Sequence, residues 1–378
     1  MKYQGKSKKI YINEREKELL ALISSGFLGN KSLMNKKDCE REQKLPFCLN
    51  FSPNNKQNKA VVNSLKKGDS VELICDLNSS SVGEIKITET WKDEKSFLSL
   101  FSLDHCLIDY RGDTCIAGDV SVYKAHILSL AKQFARAKKH LNAQKITAVF
   151  FCANPLTRAH ERILRWTIDK SDLVLVFLVE DNIEQGLDFN LKKNSLEFLA
   201  KNYLPEQRVF IADLRHINIF KLHINPIFQC NIAKGFGATK LVVGQNHSGL
   251  GLFLDKNHFI SVLDEHAKNL HMELIILPEL VFCNQCMEIV STRSCPHGAH
   301  HHIRYNSSAL RAMLFSGIMP PEILMRKEIT AQVLASIFKN RLKDISSTLD
   351  SMLPNIGIVR SKKDEELYVE LLSLYQGF

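Results

Sequence analysis

Threonine and histidine stand three residues apart in the segment Asn154-Pro155-Leu156-Thr157-Arg158-Ala159-His160-Glu161. The apolar residues before this segment predict a strand that ends near Ala153, and the residues from about Thr157 onward predict a helix. Side chains at positions i and i+3 share a helix face, so Thr157 and His160 could contact one ligand. Because the first turn of a helix favours bound phosphate, the pattern indicates a phosphate site. The alternative is that Thr157 only caps the helix and His160 is an ordinary surface residue.

A second loop with polar donors follows the apolar run Leu241-Val242-Val243 and has the sequence Gly244-Gln245-Asn246-His247-Ser248-Gly249. Its amide, imidazole and hydroxyl groups can donate hydrogen bonds to a ligand at the end of a strand. An ordinary β-turn uses the same glycine and asparagine residues, so this loop alone does not decide between a binding site and a turn.

The third segment with anion-binding chemistry is Asn306-Ser307-Ser308-Ala309-Leu310-Arg311, which opens a predicted helix. The hydroxyl groups of Ser307 and Ser308 and the exposed backbone N–H groups of the first turn favour an anion. Arg311 lies one turn further along the helix and adds a charged donor. The alternative is a serine cap beside a solvated arginine, which is a common arrangement.

Cysteine and histidine residues cluster in the last third of the chain. Cys283 and Cys286 have C-x2-C spacing and are followed by Cys295 and by several histidines. Three thiolates and one imidazole form a tetrahedral ligand set for Zn²⁺. The spacing leaves the fourth ligand open between His297 and His300, and the alternative is three free thiols beside surface histidines. Because no open coordination position is evident, we interpret the metal as structural.

Residues 145 to 277 alternate between strand and helix patterns, and these elements must position the first two segments. The predicted strands are Lys145–Cys152, Leu173–Val179, Arg208–Leu214, Leu241–Gly244 and Glu273–Leu277. The predicted helices are Thr157–Asp169, Leu191–Tyr203, Pro226–Phe236 and Phe259–Leu270. This alternation is typical of βαβ units, so we predict an α/β fold with a doubly wound parallel sheet. Ligands bind such sheets at the carboxyl ends of the strands, where the first two segments lie.

The regions on either side of this core have different patterns. Short apolar runs separated by turn residues predict a β-rich N-terminal region. Its predicted elements are a helix at Glu14–Ile23, strands at Ala60–Val62, Ser70–Asp76 and Glu84–Thr90, and a connecting helix at Ala125–His140. The predicted C-terminal helices are Ser307–Phe315, Glu322–Leu342 and Lys363–Tyr375. We therefore predict domains at residues 1–140, 141–282 and 283–378, with residues 306–315 completing the site of the central domain.

Charge and hydropathy exclude several classes of protein. The net charge is +9, and the basic residues are scattered along the chain. A dispersed surplus favours a phosphate-bearing small ligand over nucleic acid. The longest apolar runs, such as Leu173–Val179, are too short to span a membrane, and no apolar run follows the basic N-terminus as in a signal peptide. We expect a cytoplasmic protein without membrane partners, with reduced thiols outside the cysteine cluster.

The order and spacing of these segments resemble ATP sulfurylase, the sulfate adenylyltransferase family within the nucleotidyltransferases. The matching residues are Asn154-Pro155 with Ala159-His160-Glu161, Val243-Gly244 with His247 and Gly249, Cys283, Cys286 and Cys295-Pro296-His297, and Ser308 with Arg311 and Met313-Leu314. The resemblance implies a nucleotidyltransferase core, an N-terminal domain similar to the PUA fold and a small C-terminal zinc-containing helical region. It also implies conversion of ATP and sulfate into adenylyl sulfate and pyrophosphate in sulfate assimilation or activation, and a possible homodimer.

The resemblance also implies a role for each site residue. His160 and Thr157 contact the α- and β-phosphates of ATP, and Arg311 cradles the leaving pyrophosphate. Asn154, in the turn before Thr157, is the fourth implied catalytic residue. The implied nucleotide-binding residues are Gly244, Gln245, Asn246, His247, Ser248, Ser307 and Ser308. The implied ligands of a structural Zn²⁺ are Cys283, Cys286, Cys295 and, from the Cys-Pro-His match, His297. Mg²⁺ arrives with ATP, because the sequence contains no dedicated carboxylate cage for it.

The chain departs from the family pattern where the family binds sulfate. Phe151 and Ala153 replace the glutamine and arginine before Asn-Pro that hold sulfate in the family. Thr157 replaces the first histidine of the pair, a change that is compatible with nucleotide chemistry. A methyl group cannot replace a guanidinium fork, and losing such a contact costs about 2–5 kcal/mol. We therefore keep two alternatives to sulfate adenylyltransferase activity: an adenylyltransferase with a different acceptor, and an inactive relative that binds nucleotide or RNA. Sulfate-dependent release of pyrophosphate from ATP distinguishes these hypotheses.

Overall fold

The computed structural model describes residues 8–40, 48–92, 112–181, 185–217, 225–246, 252–255, 258–261, 263–342 and 363–376. The chain divides into two compact units, and each unit combines two separate segments. The first unit is Met1–Phe150 with Leu214–Leu277, and the second is Phe151–Asp213 with Pro278–Phe378. None of the described helices has both the length and the apolar composition that a membrane span requires.

Fifteen strands and eleven α-helices lie within the described residues. The strands are β1 (Lys8–Ile12), β2 (Ser32–Leu33), β3 (Ser70–Cys75), β4 (Ser81–Lys92), β5 (Thr114–Val122), β6 (Ile146–Phe151), β7 (Leu173–Val179), β8 (Val209–Leu214), β9 (Lys240–Gly244), β10 (Leu252–Asp255), β11 (His258–Ser261), β12 (Glu273–Leu277), β13 (Leu280–Cys283), β14 (Glu288–Ser291) and β15 (His302–Arg304). The helices are α1 (Glu14–Ser24), α2 (Lys36–Glu40), α3 (Lys59–Asn63), α4 (His126–His140), α5 (Arg158–Ile168), α6 (Phe189–Tyr203), α7 (Asn225–Gly235), α8 (Leu263–Asn269), α9 (Ser307–Phe315), α10 (Lys327–Ile337) and α11 (Asp364–Gln376).

The first unit contains a five-stranded sheet in the order β1-β3-β4-β5-β2. Strands β1 and β3 pair in parallel, and the other pairs are antiparallel. The predicted β-rich region is thus confirmed, but the strand predicted at residues 60–62 is wrong, because these residues form helix α3. The Asn58 side chain pairs with the backbone of Tyr11 in β1, at 2.8 and 2.7 Å. A short 3₁₀ turn at Lys56–Asn58 therefore leads directly into α3.

Helix α1 connects this sheet to α4 through a buried carboxylate. Asn13 and Glu16 form a capping box at the start of α1. One turn later Glu18, 1% exposed, accepts hydrogen bonds from the backbone N–H groups of His126 and Ile127, at 2.8 and 2.9 Å. Because α4 has no side-chain cap of its own, Glu18 satisfies its first-turn donors.

The α/β sheet has five strands in the order β12-β9-β6-β7-β8. Strand β9 pairs in parallel with both β12 and β6. All seven residues of β7 are buried, which is typical of a parallel strand covered on both faces. The prediction of an α/β fold with a parallel sheet is confirmed, and β7 and β12 have the predicted bounds.

Two predicted helices have the wrong extent. Residues 259–261 of the predicted helix Phe259–Leu270 belong to β11, and α8 begins only at Leu263. Ser261 sets this boundary, because its hydroxyl accepts the Leu263 N–H and its own N–H donates to the Asp264 carboxylate. The predicted helix Glu322–Leu342 is shorter, since α10 covers only Lys327–Ile337.

Helix α5 of the second unit is fixed by a buried carboxylate at its first turn. Glu161, 5% exposed, accepts two hydrogen bonds of 2.7 Å from Arg326, and it also pairs with Arg158 and Arg165 at 3.0 Å. Burial opposes ionisation of Glu161, but these guanidinium groups outweigh it and hold the pKa of Glu161 below its usual value. The start of α5 therefore has one fixed position relative to Arg326, the residue before α10.

Candidate functional site

The start of α5 is closed by a hydrogen-bonded pair, Thr157 and His160. Thr157 is the N-cap residue and is only 4% exposed. The backbone N–H of Thr157 donates to Nδ1 of His160 at 3.1 Å, and its hydroxyl lies 2.8 Å from the same nitrogen. A backbone N–H can only donate, so Nδ1 carries no proton and the proton of the neutral ring is on Nε2. Thr157 thus occupies Nδ1 of His160, and the remaining donor of the imidazole is its Nε2–H group.

The surroundings of His160 keep its ring neutral. The Phe151 ring packs edge to face against it, with 4.8 Å between the ring centroids. Burial disfavours the charged imidazolium and lowers the pKa of His160 to about 4. Within the described residues, both hydrogen bonds of the ring are at Nδ1. His160 can therefore donate one hydrogen bond to a ligand as a neutral group at physiological pH.

Asn154 connects the turn before α5 to α9. Its side-chain amide donates to Asp181 at 2.7 Å and accepts the backbone N–H of Leu187 at 3.0 Å. Its backbone carbonyl accepts a hydrogen bond of 2.7 Å from Nη1 of Arg311. Two predicted segments are thus in direct contact through Asn154 and Arg311, which are 157 residues apart in the sequence. The Asn154–Pro155 peptide bond is cis.

The start of α9 differs from the predicted backbone cradle. Asn306 is the N-cap, and its side-chain oxygen accepts the N–H groups of Ser308 and Ala309 at 3.0 and 3.1 Å. Two N–H groups expected to bind an anion are therefore already paired. Arg311 is 9% exposed and also donates to the Ser308 hydroxyl at 3.3 Å. The charged donor at this helix start is a guanidinium that is held on two sides.

The second predicted loop lies at the end of β9 in the first unit. Gly244 is exposed, and a Cβ atom there would meet no atom of the described residues within 4 Å. The N–H of Gln245 donates to Leu277 at 2.7 Å, and Asn246 is exposed. His247 and Ser248 lie outside the described residues. The predicted roles of all these residues stay predictions.

The cysteine cluster has the dimensions of a metal site. The ligand atoms of Cys283, Cys286, Cys295 and His297 all lie within 4.8 Å of one another. Nδ1 of His297 is 3.4, 3.3 and 3.6 Å from the three sulfur atoms, taken in chain order. Zn–S bonds of about 2.3 Å and Zn–N bonds of about 2.0 Å give tetrahedral edges of about 3.5–3.8 Å. These four residues can therefore hold a metal ion.

The other candidate ligand, His300, is outside this cluster. Its ring lies against the ring of His301, with 4.1 Å between the centroids, and His301 is bound to Asn284. The four ligand residues lie on the hairpin of β13 and β14 and on the loop after it. β15 then leads to the start of α9. A metal here would fix the segment that precedes Arg311.

A family model described as ATP-sulfurylase matches residues 127–336, which is more than half of the chain. The chain belongs to the ATP-sulfurylase family. The matched residues include Asn154, His160 and Arg311, and they also include the complete cysteine cluster. The resemblance seen in the sequence is thus confirmed at the level of the family.

Individual relatives of this ATP-sulfurylase family member are distant. The chain is 24% identical over 372 residues to a sulfate adenylyltransferase of Psychrobacter sp. (strain PRwf-1), covering 89% of this chain and 86% of the relative. It is 25% identical over 233 residues to that of Carboxydothermus hydrogenoformans, covering 60% of this chain and 61% of the relative. The solved structure of a hexameric APS kinase from Thiobacillus denitrificans is similar in fold, with a TM-score of 0.65 and 14% identity. That match covers 86% of this chain and 62% of the solved chain.

Within the ATP-sulfurylase pattern, the two departures before Asn154 have clear structural positions. Phe151 is 6% exposed and packs against His160, in place of the polar glutamine of the family. Ala153 is 1% exposed and has a positive φ of 47°, in place of the arginine. Phe151 therefore supports the imidazole, whereas Ala153 provides no charge in this turn.

Two charged residues that contact the Asn154 turn, directly or through one another, were missed in the sequence. Lys192, 2% exposed, forms an ion pair with Asp181, the carboxylate that holds the Asn154 amide. A signal for Lys192 was present, because it shares the buried face of α6 with Ser195 and Leu199. No comparable signal marks Asp181, since its partners come from two distant segments.

Proposed function

We propose that this protein is a sulfate adenylyltransferase, which joins sulfate to the adenylyl group of ATP and releases pyrophosphate. Membership of the ATP-sulfurylase family and the two sulfate adenylyltransferase relatives support this activity. The observation that carries the proposal is the hydrogen bond of Arg311 to the Asn154 carbonyl. It joins two motifs of the family, one before α5 and one at α9, within one compact unit.

In the proposed reaction a sulfate oxygen attacks the α-phosphorus of ATP, and the bond from that phosphorus to the bridging oxygen of pyrophosphate breaks. The protein supplies no nucleophile, so the rate comes from positioning and from stabilising charge. His160 donates its Nε2–H to a phosphate oxygen, and the cationic Arg311 binds the leaving pyrophosphate. Thr157 fixes the tautomer of His160 through the hydrogen bonds described above.

ATP is the proposed nucleotide, and it brings its own Mg²⁺. The ion offsets phosphate charge when bound. On this proposal Gly244, Gln245, Asn246, His247 and Ser248 line the nucleotide pocket, and Ser307 and Ser308 belong to the pyrophosphate cradle. The exposure of Gly244 supports close approach of a ligand there.

We propose that the metal of the cysteine cluster is a structural Zn²⁺. The donor set of three thiolates and one imidazole is typical of closed zinc sites. Cys283, Cys286, Cys295 and His297 would hold the ion and leave no position for a substrate. Its proposed role is to order the hairpin and the loop before α9.

The proposal extends to organisation and location. It includes a PUA-like N-terminal domain at residues 1–140, a nucleotidyltransferase domain at 141–282 and a zinc-containing helical region at 283–378. It also includes a homodimer in the cytoplasm, with no nucleic-acid or membrane partner. The five-stranded sheet of strands β1 to β5 supports a β-rich fold for the first of these regions.

The test is pyrophosphate release from Mg·ATP with and without sulfate, combined with calorimetric titration of ATP and then of molybdate or sulfate. Release that depends on sulfate supports the proposal. Release only with another acceptor would support the related adenylyltransferase, for which Phe151 and Ala153 are the motivating residues. ATP binding without any release, or no binding at all, would contradict an enzymatic function.

A further inference from the structure

An ion pair in the second unit joins a buried lysine to a half-buried aspartate and has no role in the mechanism above. The ammonium group of Lys192 contacts Oδ1 of Asp181, and the Lys192 side chain is only 1% exposed. Removing two charges from water costs free energy that a single contact rarely recovers in full. A buried lysine on a helix face that otherwise packs in the core therefore calls for an explanation beyond stability.

The pair is the end of a continuous chain of hydrogen bonds. Asp181 uses its second oxygen, Oδ2, to accept the side-chain amide of Asn154 at 2.7 Å. The opposite end of that amide accepts the Leu187 N–H at 3.0 Å. The Asn154 side chain is thus held at both ends, and its backbone carbonyl is bound to Arg311 at 2.7 Å. All of these residues lie in the second unit.

Each member of this chain constrains the next. Asn154 is 4% exposed and stands in the short turn between β6 and α5, so fixing its side chain also fixes the direction of its carbonyl. That carbonyl and the Ser308 hydroxyl hold the two terminal nitrogens of Arg311. A guanidinium held in this way faces its ligand in one orientation, which reduces the entropy lost on binding.

We propose that Lys192 and Asp181 are positioning residues that orient Arg311 for pyrophosphate through Asn154. This inference rests on the proposed function and names two residues that act on its pyrophosphate half. Lys192 holds the carboxylate of Asp181 in place, and Asp181 holds Asn154. Neither residue contacts the substrate.

The experiment compares Lys192→Met with Lys193→Met, its neighbour on the same helix. Lys193 also forms an ion pair, with Asp213 at 2.5 Å, but it is not part of the chain to Arg311. The readouts are the KM for pyrophosphate in the reverse reaction, the KM for adenylyl sulfate, and pyrophosphate binding by calorimetry. We expect K192M to raise the pyrophosphate KM and Kd at least tenfold, with the adenylyl sulfate KM within twofold of wild type. K193M should change none of them.

A second variant separates positioning from stability. D181L/K192M replaces the pair by apolar side chains of similar size and leaves no lone charge buried, so it should fold. Because it also lacks the acceptor for Asn154, we expect the same defect toward pyrophosphate in a folded protein whose stability falls only by the cost of one unpaired amide donor. A stable double variant with wild-type pyrophosphate affinity would overturn the proposal and assign the pair to stability alone.

A double-mutant cycle tests whether the effect passes through Arg311. In an R311K background, K192M should change the pyrophosphate Kd by less than threefold, because the orientation of the guanidinium no longer matters. Independent, multiplicative effects would contradict the inference. If the wild-type protein turns over no sulfate, the proposed function fails, whereas the calorimetric comparison still tests the pair. Absence of pyrophosphate binding by the wild-type protein would overturn both.

Discussion

The helix starts of α5 and α9 pair their backbone N–H groups with different side chains. Both were predicted to bind an anion. In both, a side chain of the protein accepts hydrogen bonds from backbone N–H groups at the helix start. At α5 the N–H of Thr157 is paired with His160, and at α9 Asn306 accepts the N–H groups of Ser308 and Ala309. The side chains that remain for a ligand are a neutral imidazole at one helix and a guanidinium at the other.

This difference teaches that a helix start predicted to bind phosphate need not use its backbone. Capping satisfies the helix donors in the absence of ligand and fixes the side chains that then face outward. The neutral donor of α5 orients a phosphate, and the cation of α9 stabilises the charge of a leaving pyrophosphate. The predictions below test this division, from the largest expected effect to the smallest.

Replacing Arg311 by lysine should have the largest effect. Lysine keeps the charge but cannot hold the Asn154 carbonyl and the Ser308 hydroxyl with two nitrogens at once. We expect kcat/KM for sulfate-dependent pyrophosphate release to fall roughly a hundredfold to a thousandfold. Arg304→Lys is the matched control, because the Arg304 side chain is 70% exposed and should tolerate the change. Equal activity of the two variants would remove the special role of α9.

Disrupting the metal cluster should destabilise the start of α9 more than the start of α5, because the cluster directly precedes α9 in the chain. We expect Cys286→Ser to lose bound zinc, measured by metal analysis, and to lower the unfolding temperature. Structural zinc sites contribute on the order of 10 kcal/mol in isolated peptides, enough to order a loop. Cys152→Ser, a change at an exposed thiol outside the cluster, should retain its zinc. Full zinc content in C286S would exclude the proposed ligand set.

The neutral ring of His160 predicts a defined dependence of stability on pH. Its folded pKa of about 4 lies below the unfolded value, so the unfolded chain takes up the proton first as the pH falls. The contribution is fully present above about pH 6.5 and is lost as the pH falls through the folded pKa, at a cost of roughly 3 kcal/mol. Denaturant unfolding between pH 4 and 7 should show this loss in wild type and a smaller one in His160→Gln. Identical pH dependence in both proteins would be inconsistent with a buried neutral imidazole.

Removing the cap of α9 should have the smallest effect. Asn306→Ala frees the two N–H groups that the asparagine now satisfies, and it should lower the free energy of unfolding by about 1 kcal/mol. Because the ligand side of α9 is Arg311 and not the backbone, we expect kcat/KM to change by less than threefold. A much larger loss of activity would mean that Asn306 itself faces the ligand.

The sequence predicted those elements whose signals are local. Helix α9 has the predicted bounds Ser307–Phe315, because a capping asparagine starts it and Gly317 with positive φ follows its end. The same local chemistry at Ser261 and Asp264 was overlooked, so α8 was predicted too long. Residues 60–62 were predicted as a strand because of their valines. They form a helix, and Asn58, just before it, is hydrogen-bonded to the backbone of Tyr11, a tertiary contact that local sequence does not show.

The sequence predicted the residue types of the candidate site but not the contacts between them. His160, Arg311 and the zinc ligands stand in recognisable spacings. Asp181 does not, because its proposed role depends on tertiary contacts: its carboxylate binds both Lys192 and Asn154. The only local indication that Lys192 is buried is its position on the buried face of α6. Helical periodicity predicts that α6 is a helix, but it does not predict that a lysine of this face forms an ion pair.

The central claim is that the starts of α5 and α9 bind the phosphates of one ATP molecule through His160 and Arg311. Calorimetric titration of Mg·ATP into wild type, His160→Ala and Arg311→Lys tests it most directly, with His140→Ala, at an exposed position, as the control. We predict that the wild type and the control bind ATP alike and that each site variant binds at least tenfold more weakly. Unchanged affinity in both site variants, with intact folds, would contradict the account.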